Sequence, residues 1–440
     1  MERCKNCERL EKKILVLEER LCQLESQLKL SSTNSSKPPS SDGLKKKPVS
    51  LRENSGLKTG GQLGHDGATL AQVENPSAVL EHREMSCQCC GEELINCEVV
   101  GVDKRQEFDI SLPKLAVTQH NGLTIKCKKC GTANKARFPN RIRGPVQYGP
   151  KLEAAAVYLS SQQLIPIKRT TQIFEDLLSI QISEGSVIAI NNEAAEKLAP
   201  IQEAALDNLK TCEVKHVDES GVRVAGKLYW LHVTSNDTAT HYRITEKRGD
   251  INCGIENVVV HDHFRPYFNL PNTTHALCNA HILRELKKLI EFEKEPWAAD
   301  MSELLKFLCH KKNNGEVDAD FIANASKHYD DIVKTGLDYH QAQEPLPGRK
   351  RYGKKRDGHN LLLRLHSHKN DVLRFLAASH VPFTNNQAEQ DIRMIKTKQK
   401  ISGSFRTLQG AQNFATTRGF ISTAIKQKLN PLSALLAALA

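Results

Sequence analysis

The sequence lacks long apolar runs. No stretch reaches the roughly 18 apolar residues of a membrane-spanning helix, so a chain that crosses a bilayer is not expected. The N-terminal MERCKNCERLEKK carries charge where a secretory signal needs an apolar run. The 13 cysteines are therefore expected in a reducing cytoplasm, where disulfides are rare and thiols are left for metal ligation or simple packing. Aromatic residues are scarce at 5%, and apolar residues at 39% of 440 positions suffice for several modest cores rather than one large one. Acidic residues are in deficit, with 51 Asp and Glu against 62 Lys and Arg. The resulting net charge of +11 points to a polyanionic partner, with nucleic acid ahead of an anionic membrane surface.

What is present is arranged in blocks. Over residues 1–30, Leu10, Ile14, Leu17, Leu21, Leu24 and Leu28 alternate at spacings of four and three, the seam of a short coiled coil suited to self-association. A helix packed on its own chain would show the same seam. Residues 31–67, rich in Ser, Gly, Pro and Lys, form a basic linker in which Lys45, Lys46 and Lys47 could follow a DNA backbone or simply be solvated. Residues 68–142 hold Cys87-Gln-Cys-Cys90-Gly and Cys127-Lys-Lys-Cys130-Gly. Two Cys-x-x-Cys turns supply the four thiolates of a tetrahedral zinc site, with Cys89 a possible substitute and Cys97 spare. The segments VDKRQEFDI and KLAVTQHNGLTIK between them read as strands, giving a ribbon-like zinc module. Residues 143–210 are helical in pattern, with IKRTTQIFEDLL, a turn at SIQI and Ser183 as N-cap of the next helix. Such a pair fits a helix-turn-helix, but also an ordinary bundle.

The period then changes. EVKHVDES, GKLYWLHVTS and THYRITE are strand-like, and after the helix-permitting EKRGDINCGIE the run Val258-Val259-Val260 ends at His261-Asp262. A strand, strand, strand, helix, strand order sets the first and fourth strands side by side and brings Asp218 and Asp262, each expected at a strand end, within reach of one cation. Aspartates at strand ends are also ordinary turn residues. A third carboxylate, Glu389, lies in the first turn of a helix whose buried face is marked by Ala388, Ile392 and Ile395. Asn386-x-x-Glu389 equally fits a capping box, in which Glu389 would do no more than close its own helix. Three carboxylates can hold two hard cations about 4 Å apart, which activate a water or 3′-hydroxyl and stabilise the leaving oxygen of a phosphodiester. Arg393, Lys396, Lys398 and Lys400 follow as a basic track for a DNA end, or as a solvated helix face.

The segments VDESGVRV, HDHFRPYF, LCNAHILREL and FTNNQAEQDIRMIKTKQKISGSFRT closely resemble bacterial DDE-type transposases of the insertion sequence sixty-six family. The N-terminal leucine helix, NSSKPPSSD, the GGQ-x-GH-x-G segment and the paired cysteine knuckles are similar to that family as well, so the resemblance spans nearly the whole chain. Leu63 departs from the proline usual in the glycine-rich segment, and Cys4-x-x-Cys7 has no assigned counterpart. The resemblance implies that Asp218, Asp262 and Glu389 are the catalytic, Mg2+- or Mn2+-binding positions. It also implies an α/β multidomain protein with a ribonuclease-H-like catalytic core, split into residues 211–282 and 383–440 by a helical insertion over 283–382. Arg349, Lys350 and Arg351 fall in an insertion loop suited to gripping DNA. Cys278 and His281 could ligate a metal, though a packed thiol beside a hydrogen-bonded histidine is the simpler expectation, with Arg284 and Glu285 as nearby support. The implied activity is binding of terminal inverted repeats, metal-dependent strand cleavage and 3′-OH transfer into target DNA, in a homo-oligomer with small accessory proteins of the same element. The alternatives are an inactive remnant of such an enzyme and a zinc-containing DNA-binding regulator whose carboxylates are structural.

Overall fold

The computed structural model describes residues 71–109, 115–251, 254–343 and 355–440, with single positions between Leu10 and Asn34. The expected DNA contacts Lys45, Lys46, Lys47, Arg349, Lys350 and Arg351 lie outside the described residues, as does most of the linker. The seam positions Leu10, Ile14, Leu17, Leu21, Leu24 and Leu28 are helical and all exposed. The chain divides into two units, Ser50–Ala116 and the remainder, and the boundary falls between the two cysteine knuckles.

In Ser50–Ala116 the described backbone is irregular. The expected strand over VDKRQEFDI does not form among its described residues, and of KLAVTQHNGLTIK only β1, Thr124–Lys126, in the other unit, becomes a strand, paired antiparallel with β2, Ala133–Lys135. The physical reason is the lack of anything to bury. Val100, Val102 and Ile125 are all exposed, and short strands without an apolar face hold no sheet on their own.

The larger unit is built around a mixed sheet. Its strands are β3 (Val214–Val224), β4 (Lys227–Ser235), β5 (Thr240–Thr245), β6 (Asn257–His261) and β7 (Thr273–Leu277), in the order β5-β4-β3-β6-β7. β3, β4 and β5 pair antiparallel, whereas β6 runs parallel to both β3 and β7. The first and fourth predicted strands are thus neighbours. The helix allowed between β5 and β6 is absent among the described residues, where Gly254 takes φ +71 and the chain turns instead. β7, TTHAL, has no counterpart among the expected strands, since it lacks the continuous apolar run that marks β6.

Helices cover the sheet and extend it. Before it come α1 (Pro150–Val157), α2 (Ile167–Leu178) and α3 (Glu184–Thr211). α2 stops at Ser179, which has the left-handed φ +53, and α3 starts where the Ser183 hydroxyl accepts from Ser186 N at 3.0 Å, a cap of about 1 kcal/mol. The turn and cap expected for the helix pair are both present. After β7 follow α4 (Asn279–Lys288), α5 (Pro296–Asn313), α6 (Ala319–Gln341), α7 (Asp357–Ser367), α8 (Lys369–Val372) and α9 (Arg374–Ala377). They share a core around Trp297, Met301, Tyr329, Leu362 and Phe375. The chain closes with α10 (Asn386–Ser402), α11 (Leu408–Lys426) and α12 (Pro431–Leu439). Among the described residues no helix is long and apolar enough to cross a membrane.

Strand alternation decides what each face of the sheet meets. Val222 and Val224 of β3 pack with Leu231, Val233 and Ile244 against Ala388, Ile392 and Ile395 of α10. Burying the two isoleucines is worth about 1.5–3 kcal/mol each. Val217 points the other way, into a cluster with Ile255, Val259 and Tyr267. Asp218 has the parity of Val222 and so belongs to the face that α10 covers.

Candidate active site

Contrary to the strand end expected for it, Asp218 lies in the middle of β3. The parallel ladder ends before it, at His216. β3 pairs with β6 at Val214↔Val258, Lys215↔Val259 and His216↔Val260, and the same register carried two places further sets Asp218 level with Asp262, one residue past β6. β3 continues only because β4 stays paired with it, Asp218 facing Val233. The two aspartates therefore share a level at the mouth of the sheet.

Each aspartate has one oxygen committed to local backbone. Asp218 Oδ1 accepts from Glu219 N at 2.9 Å, and Asp262 Oδ1 accepts from Phe264 N at 2.8 Å. Burial, with Glu219, Asp262 and Glu389 nearby, raises the Asp218 carboxyl well above its ordinary value. Burial and the charge of Glu219, with a smaller push from Glu389, lift Asp262 to about 6. A pocket that disfavours its own negative charge is one that a cation would relieve.

Glu389 reaches the site on α10. Its carboxylate does not close its own helix: Oε1 lies 3.4 Å from an Arg284 guanidinium nitrogen and 3.7 Å from His281 Nδ1. Neither does the N-cap, Asn385, use its side chain to cap. Instead the fully buried Asn385 amide donates from Nδ2 to Val217 O at 2.8 Å, and its Oδ1 meets His216 Nδ1 at 2.9 Å. Its backbone N–H donates to Cys278 Sγ at 3.1 Å, and Cys278 N in turn donates to His261 O at 2.9 Å. One residue thus joins the Asp218 strand, the β7–α4 junction and the Glu389 helix.

Several neighbours gave no sequence signal. Glu219, whose side chain is almost wholly buried, accepts from Arg248 Nε at 2.9 Å and a terminal guanidinium nitrogen at 2.6 Å, and from the Tyr267 hydroxyl at 2.6 Å. Arg248 also lies over the Phe264 ring at 4.1 Å. The expected basic track is split by packing. Arg393 and Lys400 are exposed, whereas Lys396 donates to Gly221 O at 2.8 Å and Lys398 sits over Phe414 at 5.6 Å. Burial lowers the pKa of both Lys396 and Lys398.

Cys278, His281 and Glu389 place one ligand atom each within 4.8 Å of one another. The thiol, wholly buried, is pushed up to about 11, and burial pushes His281 down to about 3. His281 Nδ1 is buried without a hydrogen-bond partner. The thiol is packed as expected, but the histidine is not hydrogen-bonded through that atom.

The cysteine knuckles are described one at a time. Cys87 N donates to Glu92 O at 2.8 Å and Gly91 N to Cys87 O at 2.9 Å; Cys127 N donates to Thr132 O at 2.8 Å and Gly131 N to Cys127 O at 2.9 Å. Gly91 and Gly131 take φ +77 and +74, which explains the glycine after each pair. Hydrogen bonds from Thr132 and Cys127 hold Cys130 down at about 7, and the backbone at Cys90 and Cys89 lowers Cys87. Both turns favour thiolate, the form that binds zinc.

Residues 145–413, more than half of the chain, match the Transposase IS66 family. The chain belongs to that family. A second family, DUF6444, of unknown function, matches residues 3–71. Comparison with curated proteins gives no match. The IS66 match contains all three carboxylates, the helices between β7 and α10 and the helix pair, whereas the four knuckle cysteines lie outside both matches. Membership of a transposase family implies DNA as the substrate and a divalent metal as the helper.

Proposed function

We propose that this IS66-family protein is a DDE transposase whose Asp218, Asp262 and Glu389 hold the metal that cuts and joins DNA. The observation that carries this reading is the shared register level of Asp218 and Asp262 on the sheet face covered by the Glu389 helix. The strand order supports assigning the core to the ribonuclease-H-like class.

When bound, paired Mg2+ or Mn2+ ions activate the attacking water or 3′-hydroxyl and stabilise the leaving oxygen. The aspartates each offer the carboxylate oxygen that is not tied to backbone. Arg284 holds Glu389 in place and, once a phosphate enters, stands beside it as a cation. No side chain becomes attached to DNA, because the nucleophile is water in the cleavage step and the DNA 3′-hydroxyl in the transfer step. Arg393 and Lys400 are the exposed cations on α10 that track the DNA end, with Lys396 and Lys398 positioning the helix from below. The terminal inverted repeats and the target are the DNA partners. The knuckles supply Cys87, Cys90, Cys127 and Cys130 for zinc, the N-terminal leucines join copies of the chain, and small proteins of the same element assist.

Purified protein with end-labelled element DNA tests the proposal. Mg2+-dependent nicking and joining are expected, and Asp218→Asn, Asp262→Asn and Glu389→Gln each lower both by more than about a hundredfold, the upper range for losing only a partner of a metal ligand. Full activity in the three variants would overturn the assignment. Binding of the ends by the wild type without any cutting would favour the regulator or the inactive remnant.

A further inference from the structure

A cavity of about 270 Å3 opens beside Asp262, between the end of the sheet and the helices that follow β7. Its floor is apolar, with Leu277 from the end of β7, Ile282 from α4 and Leu361 and Leu365 from α7. Its rim carries Asp262, His263, His281, Arg248 and Arg364. The volume lies just under the ~300–1,000 Å3 of small-molecule pockets, which suits one ring system rather than an extended ligand. Two nitrogens of its lining histidines, His263 Nε2 and His281 Nδ1, are buried without a hydrogen-bond partner, the latter 3.7 Å from Glu389 Oε1. Unpaired buried nitrogens are costly, and a guest whose entry turns these rings toward it relieves that cost.

We propose that this cavity receives a single nucleobase swung out of the DNA stack at the nucleotide next to the phosphate being cut. The inference rests on the transposase reading above and adds a subsite to it. An apolar floor with unpaired ring nitrogens at the rim matches a flat heterocycle, whose faces are apolar and whose edges donate and accept. A purely apolar guest would leave both histidine nitrogens unpaired and would sit against the Asp262 carboxylate. Arg248, stacked on Phe264 at 4.1 Å, and Arg364, paired with Glu285, put cations at the mouth where the phosphates flanking such a base would run. Because Asp262 is itself part of the wall, the base that enters belongs to the nucleotide at the reacting phosphate rather than to a remote one. The helices between β7 and α10 then have a part in catalysis: α7 closes the far side of the pocket, and an extruded base held there locks the backbone against the carboxylates.

The test uses full-length protein and element-end DNA with 2-aminopurine placed, one position at a time, around the cut found in the cleavage assay, with Ca2+ replacing Mg2+. One position is expected to brighten severalfold on binding, as that base leaves the stack. Ile282→Trp, which fills the floor, abolishes the rise and lowers cleavage, and an abasic nucleotide at the same position restores cleavage to that variant, which a folding defect would not allow. His263→Ala, at the half-buried rim, reduces the rise without touching the floor. Binding and cutting with no brightened position, or a full rise in Ile282→Trp, would overturn the pocket and leave the transposase reading standing. Failure of the wild type to bind or cut its ends would instead overturn that reading and the pocket together.

Discussion

The cysteine knuckles and the carboxylate cluster both present groups that suit metal ions, and they are built in contrasting ways. A knuckle closes on itself: Gly131 N donates to Cys127 O and Cys127 N to Thr132 O within a six-residue turn, and the surrounding side chains are exposed. The carboxylates come from β3, the end of β6 and α10, and hold their places through packed faces and the buried Asn385. A local turn carries its geometry in its own sequence. A site assembled across the chain depends on the whole core, so damage far from the carboxylates reaches them while damage to a knuckle stays local.

Asn385 gives the largest expected effect among positions that touch no metal. Asn385→Ala leaves His216 and the Val217 carbonyl without partners, a loss of about 1–3 kcal/mol in unfolding free energy. It also loosens Glu389 relative to Asp218, so cleavage falls by about 10–100-fold. Asn386→Ala, next in sequence and exposed, serves as the control with neither change. Equal effects at the two positions would break the contrast.

Proton linkage sharpens it. Asp262 titrates at about 6 in the fold against 3.8 when exposed, so the folded, metal-free protein keeps a proton that the unfolded chain has released. Stability without metal therefore decreases as pH rises from about 4 to about 6, and Asp262→Asn flattens that slope. Metal competes with the same proton, so its affinity weakens below about pH 6. Denaturant melts across this range, with and without Mg2+, measure both. A flat profile in the wild type would show that burial and the neighbouring Glu219 charge do not raise Asp262.

The knuckles give the smallest effect on the folded core. Cys127→Ser lowers bound zinc, read by metal analysis, while the melt of the sheet-containing unit shifts by no more than about 0.5 kcal/mol, as for a surface substitution. Collapse of that melt would mean that the knuckle supports the core.

How much of this was legible follows the same division. Strands β3 to β5 showed in their strand-like runs and β6 in its continuous apolar run, Ser183 showed its cap, and Ala388, Ile392 and Ile395 the face that α10 buries. The glycines after each cysteine pair announced the positive φ that they adopt. What stayed hidden depends on partners remote in sequence. Glu219 looks like any strand residue until Arg248 and Tyr267 close on it. Asn385 is of a residue type that caps helices, and only the fold turns its side chain toward His216 instead. The strands expected around the knuckles failed for the opposite reason, since their residue types favour strands but nothing covers them. The run EVKHVDES, bounded by turn residues, reads as a strand that ends near Asp218, whereas antiparallel pairing with β4 carries the strand on to Val224.

In the proposed function Asp218, Asp262 and Glu389 share one metal site. Replacing Mg2+ with Fe2+ in the presence of ascorbate and peroxide generates hydroxyl radicals at the bound ion, and these cut the polypeptide beside its ligands. Fragment mapping is expected to show scission near residues 218, 262 and 389 together, suppressed by excess Mg2+ and absent in Asp218→Asn. Scission at one of the three positions without the others, or a pattern unchanged by Mg2+, would contradict it.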